Sequence, residues 1–315
     1  MLRLVGRRLL ATIPLLFFVS LVVFALVHAL PGDPAILFLG EEADPETVAC
    51  FRTRLGFDRP LVVQYGAWLA RAARGDLGRS LRSNQPVTEA ILQRLPVTLE
   101  LMGAALLVSL AIAVPMGIVS ALKRNSGIDL ASMFFALVGF STPNFWLGLI
   151  LIYVFALVLR WLPASGFVPL LSSVPDNVRS LVLPAITLGT ALAALVTRQL
   201  RSGMLEVLRQ VYVRTAHAKG LSQRQVVAKH ALKNALIAVV TVIGLQIGGL
   251  LGNTIITETL FALTGVRRLI IDSIFSRDFF VVQGVILFLA LGYVISNLFV
   301  DVLYSYLDPR IRVDE

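Results

Sequence analysis

The segment RTAHAKGLSQRQVVAKHALKNAL, residues 214–236, is the most polar and basic stretch of a chain that is hydrophobic almost everywhere else. Gly220 suits the left-handed backbone conformation that commonly follows the end of a helix. Ser222 is a favoured N-cap, and Gln225, three residues later, completes a capping box. The pattern therefore predicts one helix that ends at Gly220 and a second, short helix that starts at once and runs to about Leu236.

The side chains of this second helix favour a protein partner. Leu221 and Val226 stand at the staple positions on either side of the cap, and with Val227 they offer an apolar surface that a groove could bury. The basic residues are spaced by five, roughly 140° apart on a helix, so they do not line one face. This spacing argues against a nucleic-acid-binding helix. The basic residues are Arg214, Lys219, Arg224 and Lys229.

The composition of the whole chain is that of an integral membrane protein. Of its 315 residues, 57% are hydrophobic and 15% are charged, and the mean hydropathy is +0.82, whereas soluble domains carry about 25% charged residues. The net charge of +9 is typical of a membrane protein that holds Lys and Arg on its cytoplasmic side. Cys50 is the single cysteine, so an intramolecular disulfide and a cysteine-based zinc site are excluded.

Six apolar segments are long enough to be candidate transmembrane helices. The first exceeds the ~7–15 residues of a signal-peptide core, so we interpret it as an uncleaved span. Pro143 and Pro184 lie inside two others, which membrane helices tolerate when neighbours satisfy the freed backbone groups. The six segments are Leu9–Leu30, Leu99–Leu122, Leu130–Leu159, Leu181–Thr197, Ile237–Thr257 and Val281–Tyr306.

The distribution of Lys and Arg predicts the orientation of these spans. With the N-terminus inside, the inside segments hold fifteen Lys and Arg residues and the short outside loops hold five. This is the bias of the positive-inside rule. Both termini are therefore predicted to be cytoplasmic.

The segment between the first two spans has helix signals of its own. Residues 60–75 open with proline and end with glycine, as a helix does, and residues 84–96 look like another short helix. We expect a small helical cap on the outer membrane face. It either packs on lipid headgroups or forms a docking platform for an external partner, and the sequence leaves both interpretations open.

These observations predict an all-α polytopic membrane protein with six transmembrane helices and a small extracytoplasmic helical cap. The chain divides into four parts, which are a cytoplasmic N-tail with the first helix (1–30), the cap segment (31–96), a five-helix core with the polar loop 198–235 (97–306) and a cytoplasmic C-tail (307–315).

Glycines and polar residues occupy nearly opposite faces of the fifth span. The glycines form a ridge of small residues that lets helix backbones approach closely, and they are Gly244, Gly248 and Gly252. The opposite face holds Gln246, Gly249, Asn253 and Thr257. Polar side chains in a span usually face the bundle interior or a wet cavity. This stripe therefore either lines a translocation path or forms hydrogen bonds with neighbouring helices. Ser141 and Asn144, beside Pro143, are weaker candidates for the same interior.

No catalytic motif accompanies these spans. The sequence has no phosphate-binding loop, no H-E-x-x-H and no G-x-S-x-G, and its three histidines, His28, His217 and His230, are scattered. We predict that the chain is not an enzyme, that it holds no metal or cofactor, and that energy for transport comes from elsewhere. No span centre carries a charge, which disfavours a proton-coupled transporter.

The polar loop resembles the cytoplasmic coupling motif of ABC importer permeases, in which a glycine follows a Glu-Ala-Ala segment. Arg214, Thr215 and Ala216 stand where Glu-Ala-Ala would be, with Gly220 at the glycine. The variant RTAHAKGL…HALKNAL is similar to the branch that imports dipeptides, oligopeptides or nickel. Thr264 stands where that branch has proline. Further matching segments are GDLGRSL (75–81), RLPVTLEL (94–101), STPNFWLG (141–148), TETLFALTGV (257–266), RDFFVVQG (277–284) and LDPRIR (307–312).

The resemblance implies a cytoplasmic coupling helix and a set of partners in the bacterial inner membrane. A second permease subunit, usually a different chain, completes the pore, and two ATP-binding subunits, which hold ATP and Mg²⁺, bind the coupling helices. A periplasmic or extracellular binding protein delivers the substrate. The chain contacts membrane lipid and no nucleic acid. The implied coupling residues are Arg214, Thr215, Ala216, Gly220, Leu221, Ser222, Gln225, Val226 and Val227.

The hypothesis is then a permease subunit of a peptide-class ABC importer. The same architecture carrying nickel, glutathione or another small solute is the nearest alternative. A secondary transporter and a membrane-embedded structural or signalling protein are alternatives of other classes, and a missing ATPase partner would favour either of them.

Overall fold

The computed structural model describes residues 2–29, 36, 39 and 43–307. Within these residues every regular element is helical, apart from an isolated β-bridge between Arg79 and Pro86. The helices are α1 (Leu2–Ala29), α2 (Pro45–Leu55), α3 (Leu61–Ala72), α4 (Val87–Leu122), α5 (Gly127–Ser141), α6 (Asn144–Leu151), α7 (Val174–Val207), α8 (Val211–Ala218), α9 (Gln223–Gln225), α10 (Leu232–Leu260), α11 (Val266–Phe275) and α12 (Phe279–Leu307). Residues Ile152–Val158 and Val226–Ala231 form π-helical turns.

The chain forms two compact units. One contains Leu2–Thr98 and Thr264–Ile295, and the other contains Leu99–Leu263 and the segment from Ser296 onward. The first of these is the cap unit, and the second is the core unit.

The cap unit joins segments that are far apart in the sequence. The Ser80 hydroxyl donates a hydrogen bond to Asp278 Oδ2 at 2.5 Å, and the Leu81 N–H donates to Asp278 Oδ1 at 3.3 Å. Its apolar core combines the start of α4 with α11 and the start of α12, through Val87, Ile91, Val266, Leu269, Ile270, Val281 and Val285 among others. The GDLGRSL and RDFFVVQG segments therefore pack against each other.

A single helix replaces two expected elements. We expected a short helix at 84–96 and a separate span from Leu99, but α4 runs unbroken from Val87 to Leu122. Val87 and Ile91 are buried in the cap-unit core, so tertiary packing holds the first turns of α4 in line with the rest of the helix across Pro96. Another helix of the cap segment, α2, was not expected, whereas the predicted helix at 60–75 is confirmed as α3.

The expected span Leu130–Leu159 is not one straight helix. It breaks into α5 and the helical segment Asn144–Val158, which meet at an angle of 101°. Thr142, before Pro143, has extended backbone angles, φ −75° and ψ 123°, because the proline ring disfavours helical geometry at the preceding residue. The pair is a broken span or a re-entrant loop.

The buried helix of the core unit is α7. It is longer than the expected span Leu181–Thr197 and carries Pro184 inside. A Cβ added at Gly189 would lie 2.6 Å from the carbonyl oxygen of Ala105, so a side chain there would force α4 and α7 apart. The close approach of helix backbones that we expected at the glycines of the fifth span thus also occurs at Gly189 of α7.

Three of the described helices are long and apolar enough to cross a membrane, namely Val87–Leu122, Val174–Val207 and Phe279–Val300. The number rises to five if each bent pair counts as one span, Gly127–Ser141 with Asn144–Val158 and Gln223–Ile237 with Val242–Leu250. Helix α1 contributes a shorter apolar stretch, Leu10–Leu26.

Candidate functional site

The polar loop has the helix break that its sequence predicts. Helix α8 ends at Ala218, and Gly220 has φ +80°. The Ser222 side chain accepts from the Gln225 N–H at 3.4 Å, and the Gln225 side chain accepts from the Ser222 N–H at 3.1 Å, so the capping box is present. A Cβ at Gly220 would meet nothing within 4 Å. Glycine is therefore required here for its backbone conformation and not for space.

The helix after this break does not end near Leu236. It continues through the π-helical turn Val226–Ala231 into α10, with a bend of 52° between Gln223–Ile237 and Val242–Leu250. The polar loop and the following apolar helix are thus one bent helical element.

Our expectation that Val226 and Val227 present an apolar surface to a partner was wrong. Val226 is fully buried and Val227 is 9% exposed. Val226 packs with Val213 and Ala216 of α8, with Leu221 partly buried against them. These side chains join α8 to the helical element that follows it, because an isolated helix as short as the 8 residues of α8 is only marginally stable.

The exposed large apolar side chains of the loop lie on α8. Val211 is 75% exposed and Tyr212 is 42% exposed, and Arg214, Thr215 and Lys219 are exposed beside them. The Tyr212 hydroxyl accepts a hydrogen bond from Asn234 Nδ2 at 2.8 Å, which fixes the ring relative to α10. Val211 and Tyr212 were not expected from the sequence. The signal that could have found them is an apolar residue and an aromatic residue side by side, just before the basic segment.

A second group of predicted residues lines a cavity of about 380 Å³ within the core unit. The cavity brings Asn144 and Gln246 together, although they lie on α6 and α10. Thr142 and Pro143 also line it, and its apolar walls are Phe140, Leu188, Ala191, Leu192, Leu195 and Leu250. A concave, mostly apolar cavity with a few amide and hydroxyl groups is typical of a site that contacts a small polar solute.

The remaining residues of the polar stripe are placed differently. Thr257 is fully buried, and its hydroxyl has no hydrogen-bond partner among the described residues, so in this conformation it faces no open cavity. A Cβ at Gly249 would lie 3.2 Å from Gln246 Oε1, which places that backbone beside the Gln246 amide. Ser141 is exposed at the end of α5. The Asn253 side chain lies outside the described residues.

The glycine ridge lies at a close helix crossing. A Cβ at Gly244 would be 2.7 Å from Val300 Cγ1 of α12, and Gly248, one turn along, is buried. The surroundings of Gly252 lie outside the described residues.

An ion pair in the core unit was missed by the sequence analysis. The Arg201 guanidinium donates to both carboxylate oxygens of Asp129 at 2.7 Å each. The expected fourth span ends at Thr197, one helical turn before Arg201, and the expected third span begins at Leu130, directly after Asp129. A basic residue one turn beyond an expected span end, with an acidic residue at the start of another helix, is the signal that could have found this pair.

The chain was compared with known proteins. The family described as "Binding-protein-dependent transport system inner membrane component" matches residues 113–313, and its N-terminal companion, "Binding-prot-dependent transport system membrane comp, N-term", matches residues 1–102. The chain belongs to this family. It is therefore a multi-pass inner-membrane component of a transport system that uses a binding protein, and the family is one of permeases and not of enzymes.

Curated relatives match this permease over almost its whole length. The dipeptide transport system permease protein DppB of Alkalihalophilus pseudofirmus is 47% identical over 326 residues, covering 97% of this chain and 98% of the relative. The glutathione transport system permease protein GsiC of Escherichia coli is 44% identical over 312 residues, covering 99% of both chains. The di/tripeptide transport system permease protein DppB of Pseudomonas aeruginosa is 44% identical over 333 residues, covering 99% of both chains.

Proposed function

We propose that this chain is the pore-forming permease subunit of an ATP-driven importer that carries dipeptides or oligopeptides across the inner membrane. The observation that carries the proposal is the 47% identity to a dipeptide permease over 97% of the chain. We assign two tasks to parts of this chain. The coupling residues receive ATP-driven motion, and the Asn144–Gln246 cavity contacts the cargo.

In this proposal the subunit crosses the membrane six times. The three long helices and the two bent pairs give five spans. Helix α1, the first helix of the chain, supplies the remaining span with its apolar stretch Leu10–Leu26. Both termini are cytoplasmic, because fifteen Lys and Arg residues lie in the inside segments and five in the short outside loops. The segment 31–96 is then extracytoplasmic, the core is 97–306 and the C-tail is 307–315.

The polar loop would be the contact with the ATP-binding subunits, which bind ATP and Mg²⁺. Because Val226 and Val227 are buried within the loop, we assign the contact surface to the outer face of α8, which exposes Val211, Tyr212 and Arg214. Gly220, Ser222 and Gln225 set the angle between α8 and the following helix. Leu221, Thr215 and Ala216 complete the loop, and a push on α8 reaches α10 through the buried Val213, Ala216 and Val226 contact.

The complete importer would contain two permease subunits, this chain and a second, different one, together with two ATP-binding subunits and an extracytoplasmic binding protein. The binding protein usually sets cargo selectivity in such systems, so a cavity in the permease needs only to tolerate the solute. Gln246 and Asn144 present amide groups that can donate to or accept from a peptide backbone.

Glutathione is the second candidate cargo, and the 44% identity to a glutathione permease over 99% of the chain favours it. Glutathione is itself a tripeptide, so the same amide-lined cavity would serve it. Nickel remains the alternative that the sequence resemblance allows.

Transport assays on the reconstituted complex test this proposal. We expect uptake of a labelled dipeptide into proteoliposomes that requires both ATP and the binding protein. Glutathione and Ni²⁺, each offered alone with the cognate binding protein, serve as the alternative cargoes. Uptake of only one of them would reassign the cargo, and peptide uptake that persists without ATP or an ATPase subunit would refute the importer class in favour of a secondary transporter.

A further inference from the structure

The cap unit contains a cavity of about 220 Å³ that is separate from the loop and the cavity of the core unit. Its walls come from the end of α1, the turn after α2, helix α3 and the start of α12. Because a water molecule occupies about 30 Å³ of liquid, the cavity can hold a group of the size of a glycerophosphate.

The wall of this cavity is rich in hydrogen-bond donors. Trp68 is 3% exposed, and its indole N–H has no hydrogen-bond partner among the residues that the structure describes. This N–H is not accessible to water in the present conformation, so an acceptor would bond to it after the indole ring shifts toward the cavity. The bond would relieve the free-energy cost of a buried polar group without a partner.

Positive charge surrounds the same cavity. Arg59 and Arg71 line it, and the described residues of its lining include no Asp or Glu. Both guanidinium groups belong to exposed residues at the two ends of α3. Guanidinium groups bind phosphate and carboxylate oxygens with paired N–H donors. The cavity is therefore suited to an anion.

His28, which also lines the cavity, is held in a fixed arrangement. Its Nδ1 lies 2.8 Å from the Phe24 carbonyl oxygen and its Nε2 lies 3.2 Å from Gln64 Oε1. The Gln64 amide is oriented by its Nε2, which donates to the carbonyl oxygens of Arg59 at 2.8 Å and Phe57 at 3.2 Å. Both ring nitrogens and the Gln64 amide are thus engaged within the protein.

The surroundings of the cavity place it where lipid headgroups lie. Helix α1 exposes large apolar side chains up to Leu26, which is 60% exposed. Helix α3 starts at Leu61, two residues after Arg59, and Leu61 and Val62 are 56% and 82% exposed. An exposed apolar helix start beside arginine is the pattern of a membrane–water interface.

We propose that this cavity binds the phosphate headgroup of an anionic phospholipid. Arg59 and Arg71 donate to the phosphate oxygens, and the Trp68 indole N–H donates to a further oxygen of the headgroup. Phe57 and Phe280, whose rings stack with centroids 6.3 Å apart, contact the glycerol and the first carbons of the acyl chains. The bound lipid would join α3 to α12 within the cap unit.

Native mass spectrometry of the assembled complex tests this proposal. The complex is purified from nanodiscs of phosphatidylglycerol, or of phosphatidylcholine as the zwitterionic comparison. We expect the wild-type complex to retain phosphatidylglycerol preferentially and the R59Q/R71Q variant to lose about tenfold or more of that retention, because each charge-assisted hydrogen bond contributes strongly. Trp68→Phe removes the N–H together with part of the ring and should weaken retention several-fold, whereas retention equal to that of the wild type would remove Trp68 from the site.

Arg74→Gln is the matched control, because Arg74 is exposed in the same segment but does not line the cavity. It should retain phosphatidylglycerol like the wild type. Equal losses in R74Q and R59Q/R71Q would refute the site in favour of general surface charge, and unchanged retention in R59Q/R71Q would refute it outright.

Competition with excess inorganic phosphate distinguishes a lipid from a soluble anion. The lipid assignment predicts that phosphate displaces little phosphatidylglycerol, because the acyl chains and aromatic contacts are not replaced. Full displacement by phosphate would overturn it. The measurement uses no transport substrate, so its outcome is independent of whether the chain carries peptides.

Discussion

The Arg201 guanidinium holds the Asp129 carboxylate with two hydrogen bonds, from Nε and from a terminal nitrogen, at 2.7 Å each. Asp129 is 4% exposed, and it also accepts from the Ser120 hydroxyl at 2.5 Å and the Asn125 N–H at 2.9 Å. The carboxylate therefore joins the end of α4, the start of α5 and the last turns of α7. Such a bidentate pair, with two further donors to the carboxylate, fixes the relative positions of three helices.

Breaking this pair should destabilise the core unit. Asp129→Asn removes the charge and one of the two acceptor oxygens for Arg201, whose side chain is 24% exposed. Hydrogen bonds to charged groups contribute about 1.5–3 kcal/mol. We expect a clearly lower Tm for the purified protein in detergent. Asp272→Asn is the control, because Asp272 is exposed and lies 3.8 Å from Arg268, and it should change stability by less than ~0.5 kcal/mol. Equal Tm values for D129N and the wild type would contradict the structural role.

Gly220→Val should abolish uptake while the protein still reaches the membrane. The φ of +80° at Gly220 is unfavourable for a β-branched residue by about 1 kcal/mol or more, so the angle between α8 and the following helix would change. Gly220→Asn is the matched variant, because asparagine tolerates left-handed geometry, and it should retain most activity. The measurement is ATP hydrolysis with and without loaded binding protein, at matched permease levels. Retained stimulation and uptake in G220V would show that this loop is not the coupling element.

Gly244→Ala should destabilise the crossing of α10 and α12. The added Cβ would lie 2.7 Å from Val300 Cγ1, and overpacking of this kind costs about 1–3 kcal/mol. The double variant G244A/V300A should recover much of the lost stability, because the shorter side chain makes room for the methyl group. Thermal unfolding in detergent measures both. A double variant that is no more stable than G244A would indicate that Val300 is not the obstacle.

Cysteines at Asn144 and Gln246 should react with a membrane-impermeant thiol reagent during turnover, after the exposed Cys50 has been replaced. Both residues line the 380 Å³ cavity, which we assign to the translocation path. Ala193→Cys is the control, because Ala193 is 3% exposed on α7, and it should stay unlabelled. Labelling of all three positions at the same rate would remove the support for this path.

Reporter fusions should locate the loops on opposite sides of the membrane. Fusions after Gly75 and Arg267 should give extracytoplasmic signals, and fusions after Gly220 and Arg312 should give cytoplasmic ones, because the basic segments remain inside. The reversed pattern would refute the orientation of the six-span proposal.

Local backbone chemistry made some of these features predictable from the sequence alone. The left-handed Gly220 and the Ser222–Gln225 capping box depend on groups three residues apart, so no distant contact is needed to form them. The apolar segments are similarly predictable, because membrane-spanning helices satisfy their own backbone hydrogen bonds. Family membership also follows from the order of motifs along the chain.

Tertiary contacts decided the rest. Packing of Val87 and Ile91 in the cap-unit core carries α4 across Pro96, where the sequence suggested a boundary. Burial of Val226 between the two loop helices moves the exposed apolar surface to Val211 and Tyr212. The meeting of Asp129 with Arg201, 72 residues apart, depends on how three helices pack. A sequence determines which groups each segment presents, but only the packed helices determine which of those groups meet, because side chains on different helices have no covalent geometry in common.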